Sequence, residues 1–232
     1  MMNLSSSRNQ IKCVANFQDL ISTPFNGDVN AISWKRELVG DFSEIVKEVE
    51  LNGNIVELNQ DELRAFKLSE QGQLAREILL NDFELLKAHG ASPVLNVIKY
   101  YERDDAYPFF PTDVYSFHVD RAAIPTDTFL CTYQGESSQI LPNSEAIQKI
   151  LIPEIRTELK KLYGFGDEGF NEFLTEYFFD LHYQAMPGAQ TVALGQGHFW
   201  KLAVDHSESL VSPCIHRAPK EINDQIRLLM IC

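Results

Sequence analysis

The segment "VYSFHVDRA" places His118 and Asp120 two residues apart at the end of an apolar run. On an extended strand, positions i and i+2 face the same side. The imidazole and the carboxylate therefore point into one cavity, where both can ligate a metal ion. A third ligand is expected far along the chain, and His216 in "SPCIHRAP" again ends a short apolar segment. Two imidazoles and one carboxylate leave open positions on a divalent metal. Such a set suits Fe(II), and it can also hold zinc or nickel. Eleven residues beyond His216 comes Arg227, in "QIRLLMIC". A buried guanidinium requires an anion, and its fork of N–H donors fits a carboxylate. A hairpin through "APKEINDQ" is expected to bring Arg227 back beside His216. Tyr133, in "CTYQG" on the strand after the metal pair, is a further hydrogen-bond partner for a bound acid.

A lone His-x-Asp pair is common, and its plain alternative is a carboxylate that only orients an imidazole. Arg227 equally suits a buried acid or a surface ion pair. The order of all four residues says more. His-x-Asp, a distal His, then Arg about ten residues on resembles the pattern of 2-oxoglutarate-dependent Fe(II) oxygenases. That resemblance implies Fe(II) on His118, Asp120 and His216, and 2-oxoglutarate as co-substrate with its far carboxylate on Arg227. The outcome is hydroxylation of a small-molecule or protein substrate. A rival class is a metal-binding, cupin-like protein that holds zinc or another ion without oxygenase chemistry. A second is an interaction protein whose site has decayed.

The flanking sequence also resembles a bacterial family, domain-of-unknown-function 1826. "FHVDRAAIPTDTFLCTYQGESSQIL", "IHRAPKEINDQIRLLMIC" and "VNAISWKREL" are similar to its three blocks. The likeness runs from about Phe25 to the C-terminus and is thin between the blocks. It implies a shared fold, with His118, Asp120, His216 and Arg227 at matching positions, and it carries no settled activity. The family's Gly-Pro-Gly-Thr turn is Gly135, Glu136, Ser137, Ser138 in this chain, and its serine after His-Arg is Ala218.

Other polar residues carry alternatives. Arg121 and Arg217 neighbour ligands, but adjacent strand residues face opposite ways. His206 and Glu208 form His-x-Glu within polar turn residues. His198 is expected at a cavity rim. His182, in "FFDLHY", is expected on a helix, and His89 at a helix C-terminus. Cys131 reads as core. Cys214 reads as a small filler or a soft metal ligand. Trp34 and Arg36 either line the pocket or pack.

These residues need strands to hold them. Val94 to Glu102, "VYSFHV", "DTFLCTY", "QTVALGQ", "HFWKLAV", "SPCIHRA" and "IRLLMIC" read as strands. Asp41 to Asn52 and the stretch from Asn59 to Gly90 read as helices, the second interrupted near Gly72. The expected fold is α+β: a double-stranded β-helix of the jelly-roll, cupin-like kind. Helices from the N-terminal half and a mid-chain helical insert brace it. The chain is expected to be one domain over 1–232. Residues 1–15 form a poorly ordered arm and 16–92 are mainly helical. Residues 93–232 carry the jelly roll, with the insert at about 144–184.

A net charge of −13 has the wrong sign for general affinity to nucleic acid or anionic membrane. Four cysteines without a CxxC pair give neither a zinc knuckle nor a disulfide framework. No apolar run is long enough to span a membrane and no secretion signal opens the chain. A cytoplasmic place is expected.

Overall fold

The structure is a computed structural model and describes residues 9–220 and 225–232. It is an α+β fold with two β-sheets and, among the described residues, six α-helices. In chain order the strands are β1 (Ile11–Val14), β2 (Ala31–Trp34), β3 (Ile55–Glu57), β4 (Val94–Ile98), β5 (Phe117–His118), β6 (Asp127–Gln134) and β7 (Gln139–Ile140). They continue as β8 (Ala146–Gln148), β9 (His182–Ala185), β10 (Val192–Ala193), β11 (Phe199–Ala203), β12 (His216–Arg217) and β13 (Arg227–Ile231). The helices are α1 (Phe17–Ser22), α2 (Phe42–Glu48), α3 (Gln60–Ala65), α4 (Glu70–Ala88), α5 (Pro153–Tyr163) and α6 (Phe170–Glu176).

The larger sheet has the order β1-β2-β11-β6-β13-β4-β3 and the smaller β10-β7-β12-β5-β9-β8. All pairs are antiparallel except β1 with β2. Period-2 alternation divides the larger sheet's side chains between two cores. Phe129, Cys131 and Tyr133 of β6, with Leu228 and Met230 of β13, pack under the helices. Leu130 and Leu229 point the other way, to meet Ile140 of the smaller sheet and Cys214 just before β12. Side chains of the two sheets therefore interlock on their inner faces.

Local chemistry sets the helix starts. Asn59 and Glu62 form a reciprocal capping box at α3. Ser69 caps α4, whose Ala75, Leu79, Asp82, Phe83 and Leu86 form one buried stripe. The break between α3 and α4 falls at Phe66–Ser69, not at Gly72, which lies buried in the first turn of α4. Among the described residues no helix is long and apolar enough to cross a membrane.

Several expectations are corrected. The segment 16–92 carries α1 to α4 but also holds β2 and β3, which join the larger sheet. Of the expected arm, residues 1–8 lie outside the described residues, and Ile11–Val14 forms β1, paired with β2. The insert at 144–184 contains α5 and α6, but β8 and β9 flank them and extend the smaller sheet. Short strands escaped notice because their gain comes from pairing with distant partners, which local periodicity does not register.

Candidate metal centre

Register builds the site. His216 of β12 pairs directly with His118 of β5, which pairs on its other side with His182 of β9. Cross-strand partners share a face, so three imidazoles form a row. The alternation of β5 and β12 puts Phe117, Val119 and Ile215 into an apolar cluster on the outer face. His118, Asp120 and His216 consequently face inward. One ligand atom from each of the three lies within 4.8 Å of the others. His216 Nε2 is 3.7 Å from Asp120 Oδ2, and His118 Nε2 is 3.9 Å from Asp120 Oδ1. Ligands bonded to one transition ion stand about 3.0–3.4 Å apart, so small side-chain movements suffice to close the set on a metal.

The surrounding hydrogen bonds prepare these atoms. His118 Nδ1 donates to the Ser116 carbonyl at 2.8 Å, and His216 Nδ1 to the Cys214 carbonyl at 3.2 Å. Each ring therefore keeps the Nε2 lone pair for a metal, the orientation that backbone carbonyls enforce in metal sites. Thr128 Oγ1, across on β6, donates to Asp120 Oδ2 at 2.6 Å and fixes the carboxylate. Burial opposes charge on Asp120, yet His216, the Thr128 bond and His118 together hold its carboxyl below the usual range.

His118 and His182 resist protonation. Burial, then His216, pushes His118 down to about 4. Burial, then His118 and Lys149, pushes His182 down to about 3. In the unfolded chain both take up a proton near pH 6.5. Below that pH the unfolded state binds more protons, so stability falls as pH drops from about 6.5 toward about 4. The metal-free protein should lose about 2 kcal/mol per imidazole between pH 7 and pH 5. Urea unfolding at the two pH values measures this, and His182→Phe should remove about half of the loss.

Arg227 is 6% exposed. Its Nη2 donates to Ser138 Oγ at 2.8 Å and Thr132 Oγ1 at 3.1 Å, and its Nη1 to the Tyr101 hydroxyl at 3.3 Å. Its Nε has no partner. Among the described residues no carboxylate pairs with it. Burial pushes its pKa down, with Tyr101 opposing. Gly135 at φ +82° lets the end of β6 pass close to β13: a Cβ there would stand 3.0 Å from the Ile226 carbonyl and 3.1 Å from Arg227 Cα.

The expected hairpin between β12 and β13 does not form, since the two strands belong to different sheets. Part of the connecting segment, 221–224, lies outside the described residues. Arg227 comes from the larger sheet instead, and reaches Ser138, which precedes β7 of the smaller one. Ser138 stands two residues, about 7 Å, from Ile140, the register partner of His216.

Tyr133 is not brought to the site. Being odd-numbered on β6, it faces the helices, where its hydroxyl donates to Asp82 Oδ2 at 2.6 Å. Thr132 takes the inward place. Tyr133→Phe should therefore cost about 1.5–3 kcal/mol of stability, measured by urea unfolding, and leave the His118, Asp120 and His216 cluster undisturbed.

Arg121 bonds Asp180 and Asp205, and Arg217 bonds Gln139 and stacks on Phe117. His206 Nδ1 accepts from Glu208 N at 3.2 Å within its turn. His198 Nδ1 bonds the Leu194 carbonyl at 3.0 Å. His89 caps α4 and lies edge-on to Phe129. Burial pushes the Cys131 thiol up to about 12 and the Cys214 thiol up as well, as expected of inert fillers. Trp34 and Arg36 pack, the guanidinium lying 4.6 Å over the indole.

Sequence reasoning missed His182, which opens β9 rather than sitting on a helix. It also missed Thr128, Thr132, Ser138 and Tyr101. The inward alternation of Thr128, Leu130 and Thr132 in "DTFLCTYQ" was the signal available for two of them.

No family model, curated protein or solved structure matches this chain.

Proposed function

We propose that the protein is a non-haem Fe(II), 2-oxoglutarate-dependent oxygenase, built on a double-stranded β-helix core and working in the cytoplasm on a small-molecule or protein substrate. The observation that carries the reading is the convergence of two free Nε2 lone pairs and an oriented carboxylate on the inner face of the sandwich. The antiparallel, interlocked sheets suit a jelly roll.

His118, Asp120 and His216 would hold the metal on one side and leave the other open. Fe(II) with 2-oxoglutarate supplies oxidative power for C–H hydroxylation. Arg227 would take the far carboxylate: a buried cation without an acid partner, with an unused Nε–H, is a site for an anion. The Thr132, Ser138 and Tyr101 hydroxyls hold the guanidinium in place. Leu130, Ile140 and Leu229 keep water from the space between the sheets.

Anaerobic Fe(II) titration with and without 2-oxoglutarate tests the reading through the visible charge-transfer band of the chelate. Arg227→Met should weaken 2-oxoglutarate binding about 100-fold and leave Fe(II) binding intact.

A second reading is a metal-binding, cupin-like protein without this co-substrate, holding zinc or nickel. One observation favours it: the cavity lined by His118 and Asp120 and the cleft lined by Arg227 share no residue. Bound Fe(II) with no charge-transfer band at saturating 2-oxoglutarate selects this alternative.

A further inference from the structure

The cavity beside the triad has walls that metal binding alone does not call for. Val114, Tyr177 and Phe178 line its approximately 310 Å³, alongside His118 and Asp120. That volume is at the small end of ligand cavities, which run about 300–1,000 Å³. Arg121 also lines it, but its guanidinium is held by Asp180 at 2.7 Å and Asp205 at 2.8 Å. Asp120 belongs to the metal set. The described walls thus keep no charged group for a ligand's own charge.

Phe178 is the least expected residue in this wall. It is 58% exposed and holds φ +59°, and it alone among the described non-glycine residues has a positive φ. A bulky L-residue rarely adopts that conformation. Burial does not account for a phenyl ring there, and strain of this kind gathers where a side chain serves a ligand. Tyr177, 49% exposed, stands next to it and packs on Phe173 and Phe179 at ring separations of 4.9 and 6.2 Å.

His182 adds direction. Lys149 Nζ, which can only donate, donates to Ser116 Oγ at 2.6 Å. The serine's own proton then goes to His182 Nδ1, 3.3 Å away. A neutral imidazole held in this way carries its proton on Nε2. His182 lines the cavity, and Nε2–H is its remaining side-chain donor.

We propose that this cavity is the substrate site, and that it takes a compact, uncharged ring compound bearing one hydrogen-bond acceptor. Tyr177 and Phe178 grip the ring and His182 orients the acceptor. The proposal rests on the oxygenase reading for the site's purpose, while the binding itself can be measured with or without a metal.

The test is calorimetry with acetophenone, on Co(II)-loaded and on metal-free protein. Ethylbenzene, benzoate and benzylamine serve as the acceptor-free, anionic and cationic comparators. Acetophenone should bind at least about tenfold more tightly than each comparator. Phe178→Ala should erase most of that affinity and leave Co(II) binding unchanged. Phe178→Gly should bind acetophenone as poorly as Phe178→Ala yet melt about 2–4 °C above it, because glycine accepts the positive φ. Selective, Phe178-dependent binding in a protein that takes up no Co(II) supports the cavity assignment and sinks the metal reading. Intact Co(II) binding overturns the cavity assignment if all four probes bind alike or not at all, or if Phe178→Ala matches the parent.

Discussion

His216→Ala should bring metal content from one ion per chain to nearly none after dialysis against micromolar metal. Four-ligand structural zinc sites bind with roughly 10–16 kcal/mol, which is about 2.5–4 kcal/mol per ligand. Losing one of three ligands should thus weaken binding roughly 10²–10³-fold. His118→Ala should do the same, because both rings present Nε2 to the same point and neither has a substitute. His182 does not fill the gap, since its Nδ1 accepts from Ser116 Oγ, which leaves the proton on Nε2, and it lies outside the triad. His206→Ala is the control and should retain full metal content. Elemental analysis and competition with a chromophoric chelator give both stoichiometry and affinity. Parent-like affinity in both His216→Ala and His118→Ala would remove the metal centre, and the proposed function with it.

The second large effect is on stability. Arg36→Ala should cost about 3–5 kcal/mol and lower Tm by about 10 °C. Asp82 is wholly buried on the inner stripe of α4, and Arg36 pairs with both its oxygens, Nη1 to Oδ1 at 2.8 Å. Arg36 Nε also donates to the Gly197 carbonyl at 2.8 Å, before β11. The pair therefore pins α4 across the larger sheet. Removing the cation leaves a carboxylate in a dry core with, among the described residues, only the Tyr133 hydroxyl as donor. The double variant Arg36→Met with Asp82→Leu should recover most of the loss, because no unpaired charge is then buried. Equal unfolding free energies for parent and Arg36→Ala, from urea titration, would refute this role.

Much of the candidate metal set was legible in the chain. His118 and Asp120 two apart on an extended run must share a face, and a one-residue spacing could not do this. The helices α2 and α4 were legible from apolar spacing, and α3 from its Asn59 cap. Other features were not. β2 and β3 are three or four residues long and gain their stability from β11, β1 and β4. His182 follows "NEFLTEYFFDL", whose aromatic run reads as helix until the chain turns at Phe178. Tyr133 and Thr132 are adjacent, and only the placement of the helices decides which of β6's faces is the outer one.

By itself the sequence determined that a metal-capable pair sits at a strand end, that a distal histidine and arginine follow in fixed order, and that the chain's net charge is −13. These are matters of residue type, local period and net charge, which need no partner. Tertiary structure alone decided that His216 lies directly opposite His118, that Arg227 comes from the other sheet, and that Asp82 is neutralised by Arg36. Strand pairing and sheet packing bring together residues far apart in sequence, so these contacts depend on register and on which face is buried.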